Sequence, residues 1–71
     1  MNVIFNTMKS QRVGLNLSVD DVAKACDVSR QTIYNWESGK ATPDVKHLNN
    51  LSEVLHTEVG VLVTYFTNRK S

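Results

Sequence analysis

The 71-residue sequence predicts a small all-α domain, and three observations indicate this fold class. Apolar residues recur at intervals of three and four along most of the chain, which is the period of helices packed on one face. Residues that favour helix ends, such as Ser18, Ser29, Gly39 and Pro43, stand between these periodic segments. The length allows one domain in which four or five helices share a single core.

The first and second predicted helices span roughly residues 3–13 and 18–27. In the first, Ile4, Met8, Arg12 and Leu15 lie at near-helical spacing, and Gly14 marks the end. The second begins with Ser18 as N-cap and Asp21 at the third helical position. The hydroxyl of Ser18 and the carboxylate of Asp21 can each accept a hydrogen bond from a free backbone N–H group at the helix start. Its predicted buried residues are Val22, Ala23 and Cys26.

A third helix, over residues 29–38, follows after a turn of only three or four residues. Ser29 is a favourable N-cap, and Gly39 stands just past the end, where a left-handed conformation is common. The fourth helix, over residues 44–55, opens at Pro43 and Asp44. Its apolar stripe is predicted to consist of Val45, Leu48, Leu51 and Leu55.

The fifth segment, over residues 58–67, is ambiguous because its β-branched residues suit a strand as well as a helix. A lone strand has no partner in this chain, so we favour a helix that begins near Thr57 and Glu58. Its predicted core stripe is Val59, Leu62, Val63 and Phe66. Val61 and Tyr65 fall off that stripe, which predicts an exposed apolar pair and a two-fold homodimer through residues 58–66.

Composition excludes several classes of protein. No apolar run approaches the roughly 20 residues that span a bilayer, and the start of the chain lacks the features of a secretory signal, so we expect a cytoplasmic protein without a membrane partner. Cys26 is the sole cysteine and is expected in the core. His47 and His56 lack further ligands, so neither a metal nor a cofactor is expected.

The chain also lacks a convincing catalytic constellation. Ser52, Glu53 and His56 lie close together in the sequence, but neighbours on one helix cannot supply a pocket and an oxyanion site. We therefore do not expect an enzyme. A short basic tail, Arg69 and Lys70, is compatible with phosphate contact or with a frayed terminus.

The second and third helices have a layout suited to DNA recognition. Arg30, Gln31 and Asn35 fall on the outer face of the third helix, while Ile33 and Trp36 face the core. Arg can donate two hydrogen bonds to guanine, and Gln or Asn can pair with adenine, when such a helix lies in a major groove. An ordinary solvated helix face is the alternative for these side chains.

The segment SVDDVAKACDVSRQTIYNWESG, from Ser18 to Gly39, resembles the helix-turn-helix of the phage Cro and repressor family, also called the Xre family. The stretch VSRQTIYNWESGKATPD is the most specific part, and the resemblance extends over roughly residues 3–66. It implies a compact lambda-repressor-like fold and a regulator that represses transcription by binding double-stranded operator DNA.

The resemblance also implies roles for particular residues. Base contacts are implied for Ser29, Arg30, Gln31, Tyr34 and Asn35, and phosphate contacts for Ser18, Lys40, Thr42 and Arg12. Arg12 and Glu37 match an ion pair that ties the first helix to the third. Two positions depart from the family pattern: Val19 replaces the usual Gln, and Asp27 stands where relatives often carry Gly.

Charge limits how such a domain can bind. The net charge is only +1, and Asp20, Asp21 and Asp27 lie near the predicted DNA-binding face. Because cationic side chains supply most non-specific affinity, a single copy is expected to bind weakly and to work in pairs. The alternative function is a protein-interaction module of the same fold, which binds another regulator or a toxin and has little specific affinity for DNA.

Overall fold

The computed structural model describes residues 7–67, and all regular structure in that range is helical. Its helices are α1 (Met8–Gly14), α2 (Val19–Cys26), α3 (Arg30–Ser38), α4 (Val45–Val54) and α5 (Val59–Thr67). Helix α2 packs against α3 and α4, and α4 packs against α5. The all-α fold class is confirmed, and the ambiguous last segment is a helix.

Side chains from every helix meet in one core. Its most deeply buried large side chains are Met8, Val22, Cys26, Ile33, Leu51, Leu55 and Leu62. Burial of this apolar surface is the main term that stabilises so small a domain. The prediction that Cys26 lies in the core is confirmed, since it is 1% exposed, and burial raises the pKa of its thiol to about 11.

The helix ends explain why the joints can be so short. A residue in the left-handed region follows each of the first four helices: Asn16, Asp27, Gly39 and His56, with φ of 64°, 58°, 90° and 51°. This conformation reverses the chain and lets N–H groups beyond the helix reach its last carbonyls. The left-handed position at Gly39 is as predicted, whereas after α1 it falls on Asn16 and Gly14 is the last helical residue.

Helix α1 begins later than predicted. Thr7 has an extended backbone, and its hydroxyl accepts a hydrogen bond from the backbone N–H of Ser10 at 3.1 Å, which makes Thr7 the N-cap. The helix therefore starts at Met8 rather than near Val3. The rest of the predicted start, residues 3–6, lies outside the described residues, as do Arg69 and Lys70 of the basic tail.

Three predicted burial assignments are wrong. Val45 is 74% exposed, because it is the first residue of α4 and precedes the turn that reaches the core. In α5, Tyr65 is 8% exposed and belongs to the core, whereas Val63 is 37% exposed. The buried face of α5 consists of Leu62 and Tyr65 with Phe66 packed beside them, so the predicted stripe was rotated around the helix.

Candidate nucleic-acid interface

The turn between α2 and α3 fixes the orientation of α3. Asp27 ends α2 in a left-handed conformation, and the N–H of Val28 donates to the carbonyl of Ala23 at 3.0 Å. Val28 packs against the core, and Ser29 then caps α3 by accepting from the N–H of Thr32 at 3.2 Å. Three residues thus join the two helices. Asp27 stands where relatives often carry Gly, and it can adopt the left-handed conformation that this position requires because Asp tolerates it better than most residues.

Helix α3 has one buried and one outward face. Ile33 is fully buried and Trp36 is 3% exposed, and together they anchor the helix to the core. Arg30, Gln31 and Tyr34 are exposed on the other side, while Asn35 is half-buried. The prediction that Ile33 and Trp36 face the core is confirmed.

The outward polar side chains of α3 are held by contacts with their neighbours. The amide nitrogen of Gln31 donates to the amide oxygen of Asn35 at 3.0 Å, one helical turn away. Nε of Arg30 lies 3.3 Å from a carboxylate oxygen of Asp20 on α2. The Arg30–Asp20 pair was missed in the sequence, because it depends on the angle between two helices and not on spacing within one.

The hydroxyls of Ser29 and Ser18 both serve as caps. Ser29 Oγ also lies 3.0 Å from the hydroxyl of Thr32. At the start of α2, Ser18 Oγ accepts from the N–H of Asp21 at 3.0 Å, and a carboxylate oxygen of Asp21 accepts from the N–H of Ser18 at 2.9 Å. This is the predicted capping box.

The capping box puts a negative charge at the N-terminus of α2. Hydrogen bonds from the backbone and then the side chain of Ser18 hold the pKa of the Asp21 carboxyl below its usual range, so it is ionised at neutral pH. A phosphate approaching Ser18 would therefore meet a carboxylate that already accepts one of the N–H groups there. Ser18 keeps an exposed position, but its surroundings favour an anion less than those of an open helix N-terminus.

The loop after α3 is folded back onto the end of that helix. The N–H groups of Gly39, Lys40 and Ala41 all donate to the carbonyl of Asn35, at 3.1, 2.9 and 3.2 Å. Lys40 and Thr42 are exposed in this loop. The backbone around Lys40 is therefore fixed relative to α3, while its side chain is free to reach outward.

A groove runs beside α3 and brings in a further cation. It is lined by Gln31, Tyr34, Asn35, Glu37, Ser38 and Lys40, which belong to α3 and the loop after it, and by Lys9 of α1. Local sequence patterns could not identify Lys9, because its place beside α3 depends on how α1 and α3 pack. Lys9 and Lys40 thus border the same surface as the outward residues of α3.

Arg12 and Glu37 are joined as an ion pair between α1 and α3. Nε of Arg12 lies 2.6 Å from Oε2 of Glu37, and the side chains are only 10% and 6% exposed. A terminal nitrogen of Arg12 donates to the carbonyl of Leu17 at 2.9 Å. Because Glu37 and the Leu17 carbonyl engage the guanidinium and burial shields it from solvent, Arg12 is not proposed to contact phosphate.

The described part of the chain contains no group of three or more His, Cys, Asp or Glu side chains suited to a metal ion. His47 instead lies with Nδ1 2.8 Å from a carboxylate oxygen of Asp44, and its ring stacks obliquely on Trp36 with centroids 5.3 Å apart. Across residues 7–67, each helix is too short or too polar to cross a membrane.

Comparisons with known proteins point to one family. The family model described as helix-turn-helix matches residues 8–62. A protein of Methanothermobacter thermautotrophicus named as an HTH-type transcriptional regulatory protein is 33% identical over 61 residues, which are 86% of this chain and 20% of the relative. A protein of the same name from Methanococcus vannielii is 33% identical over 69 residues, covering 93% of this chain and 21% of the relative.

A third relative has a more specific name. The HTH-type transcriptional activator BcrR of Enterococcus faecalis is 34% identical over 61 residues, which are 84% of this chain and 30% of the relative. The chain thus spans between a fifth and a third of the length of these curated relatives. No solved structure matches it significantly. The matched residues include all of α1 to α4, every joint between them and the start of α5. We conclude that the chain belongs to the Cro and repressor type, or Xre, helix-turn-helix family.

Proposed function

We propose that this chain is a sequence-specific, DNA-binding transcription regulator that places α3 in the major groove of operator DNA. The observation that carries the proposal is the division of α3 into two faces. Ile33 and Trp36 fix the helix on the core, and Arg30 and Gln31 project from the opposite side. A helix held in this way can enter a groove roughly 12 Å wide without loss of its packing.

The proposed contacts divide by chemistry. Arg30, Gln31 and Asn35 are the principal base readers, with Ser29 and Tyr34 at the margins of the same face. Lys40 and Thr42 bind phosphates, as does Ser18 more weakly. Lys9 joins this set because it lines the same groove as Lys40. Phosphate contacts set position and salt dependence, and base contacts set sequence preference.

Binding in pairs follows from the low net charge. One copy neutralises few phosphates, whereas two copies on half-sites about 34 Å apart double the contacts. We propose a homodimer through α5, with Val61 as the main apolar contact, since it is 45% exposed and Tyr65 is buried.

Sedimentation tests this homodimer. The unmodified chain should bind a palindromic duplex as a dimer, and Val61→Glu should be a monomer. Val45→Glu is the control and should behave as the unmodified chain does. Sedimentation as a monomer at high concentration, both without DNA and with the palindromic duplex, would refute the dimer.

The main test is equilibrium binding to labelled DNA at several salt concentrations. Arg30→Ala should lose about 1–3 kcal/mol on the preferred site and relax preference at one base pair. Lys40→Ala should weaken preferred and scrambled DNA alike. Equal losses for both variants on both duplexes would contradict the assignment of α3 as the reading helix.

The direction of regulation needs a separate assay. We propose repression, because occupation of a promoter by a bound domain excludes polymerase without a further contact, although one relative is named an activator. Transcription from a reporter that carries the selected site should fall when this chain is expressed, and Arg30→Ala should restore it. A rise would show activation. This role places the protein in the cytoplasm with the DNA and requires neither a cofactor nor catalysis.

A protein-interaction module is the second candidate function. The observation that favours it is the acidic charge on the proposed reading face, where Asp20 pairs with Arg30 and Asp21 occupies the start of α2. Such a module would bind a regulator or toxin partner and show no preferred DNA site. Steep loss of DNA affinity with added salt, together with a preferred sequence, rules this candidate out.

A further inference from the structure

The ion pair between Asp20 and Arg30 calls for an explanation other than stability. Its side chains are 59% and 68% exposed, and pairs so open to water contribute little to folding. The pair nevertheless lies at the first residue of α3, on the face proposed to read DNA. The inference therefore concerns recognition, and it rests on the proposed function.

The contact between Asp20 and Arg30 involves Nε of the guanidinium, which lies 3.3 Å from a carboxylate oxygen of Asp20. Within the described residues, neither terminal nitrogen of Arg30 donates a hydrogen bond to a protein acceptor. Together these two nitrogens can donate the two parallel hydrogen bonds that guanine O6 and N7 accept. The contact at Nε also favours rotamers that keep the long, flexible side chain beside Asp20 before DNA arrives, which lowers the entropy lost on binding.

The same carboxylate opposes non-specific binding. Without Asp20, an arginine at the rim of a groove can settle on any nearby phosphate, where it adds affinity for all sequences. With Asp20 beside it, the local charge is close to neutral, and a phosphate near Arg30 is also close to a carboxylate. Asp20 therefore penalises phosphate contact and leaves base contact possible.

We propose that Asp20 is a specificity-determining residue that directs Arg30 to a base and away from the phosphate backbone. It is a positioning residue, since it acts through Arg30. Gln31 and Asn35 show the same kind of restraint within α3, where one amide donates to the other at 3.0 Å. The Asp20–Arg30 pair differs because it crosses between helices and carries charge.

A double-mutant cycle tests this role. Asp20→Asn, Arg30→Ala and the double variant are titrated against three duplexes: the selected site, the site changed at the base pair whose preference Arg30→Ala relaxes, and a scrambled sequence. Asp20→Asn should bind the scrambled duplex about 2- to 10-fold more tightly, with a steeper salt dependence. Its discrimination at the Arg30-dependent base pair should fall by about 3-fold or more.

The coupling distinguishes positioning from a general charge effect. In the Arg30→Ala background, Asp20→Asn should leave discrimination at that base pair unchanged. Asp27→Asn is the matched control, because it removes the same charge from the turn at a position where Asn also tolerates the left-handed backbone. It should raise affinity for the scrambled duplex and leave discrimination as it was. Thermal unfolding verifies that each variant is folded.

Three results would overturn the inference. The first is an equal effect of Asp20→Asn on the selected and changed duplexes, which would mean that Asp20 acts through charge alone. The second is a loss of discrimination that persists without Arg30. Both leave the proposed function intact, because the selected site is still bound. The third is absence of DNA binding by every variant at low salt, which contradicts the proposed function as well.

Discussion

Removing one partner of the Arg12–Glu37 pair should destabilise the fold more than removing both. In Glu37→Leu, the guanidinium of Arg12 stays buried at about 10% exposure without its carboxylate. Loss of one partner of a buried pair typically costs about 3–5 kcal/mol. A domain of this length has a total stability of about 4–10 kcal/mol, so Glu37→Leu should be close to unfolding in water.

The double variant Arg12→Met with Glu37→Leu should recover much of that loss. It removes both charges, and the penalty that remains comes mainly from the Leu17 carbonyl, which loses its donor at 2.9 Å. An unsatisfied buried carbonyl costs about 1–3 kcal/mol, and this one should fall at the low end because its hydrogen bond is only partly buried. The double variant should therefore be more stable than Glu37→Leu by about 1–3 kcal/mol.

Urea unfolding followed by Trp36 fluorescence measures these differences, because Trp36 is buried in the folded state. The matched control is the exposed pair, in which Asp20→Asn, Arg30→Met and their double variant should each change the free energy of unfolding by less than about 1 kcal/mol. If the Arg12 and Glu37 substitutions add simply, the account of a buried and mutually dependent pair is refuted.

Three further predictions concern stability and reactivity. Leu51→Ala, at a fully buried position, should lower the free energy of unfolding by about 2–5 kcal/mol, whereas Val45→Ala at the exposed start of α4 should change it by less than about 0.5 kcal/mol; urea titration checks both. Backbone hydrogen bonds lower the pKa of the Asp21 and Asp44 carboxyl groups in the folded state. These carboxylates therefore stabilise the fold above their pKa in the unfolded chain, near 3.9, and this stabilisation is lost as the pH falls through their lowered pKa in the folded state. The urea concentration at the unfolding midpoint of the unmodified chain should fall between pH 6 and pH 2. That of Asp44→Asn should fall less over the same range. Cys26, with its raised pKa, should resist alkylation at pH 8 until urea unfolds the chain, and rapid labelling of the folded protein would contradict its burial.

Local signals explain which elements could be predicted. The starts of α2 and α3 follow from Ser18 and Ser29, whose hydroxyls cap the next turn, and the end of α3 follows from Gly39. Each signal acts within four residues, so one sequence suffices to find it. The turn and both faces of the proposed reading helix could therefore be placed in advance.

Features that depend on the arrangement of helices could not be placed in this way. The Asp20–Arg30 contact and the position of Lys9 beside α3 both require the angle between two helices. The error in α5 has a different cause. Apolar residues occupy most of its positions, so that periodicity alone does not define one face, and packing against α4 decides that Tyr65 is buried and Val63 exposed.

The proposed function requires that α3 reads DNA sequence through its outward face. This can be measured by selecting bound duplexes from a random DNA library with the purified chain, and with Arg30→Ala in parallel. The unmodified chain should enrich a defined half-site, repeated with centres about one DNA turn apart, and Arg30→Ala should lose preference at one position. Recovery of unenriched sequences, or of the same motif with unchanged preference for Arg30→Ala, would show that α3 does not read the sequence in this way.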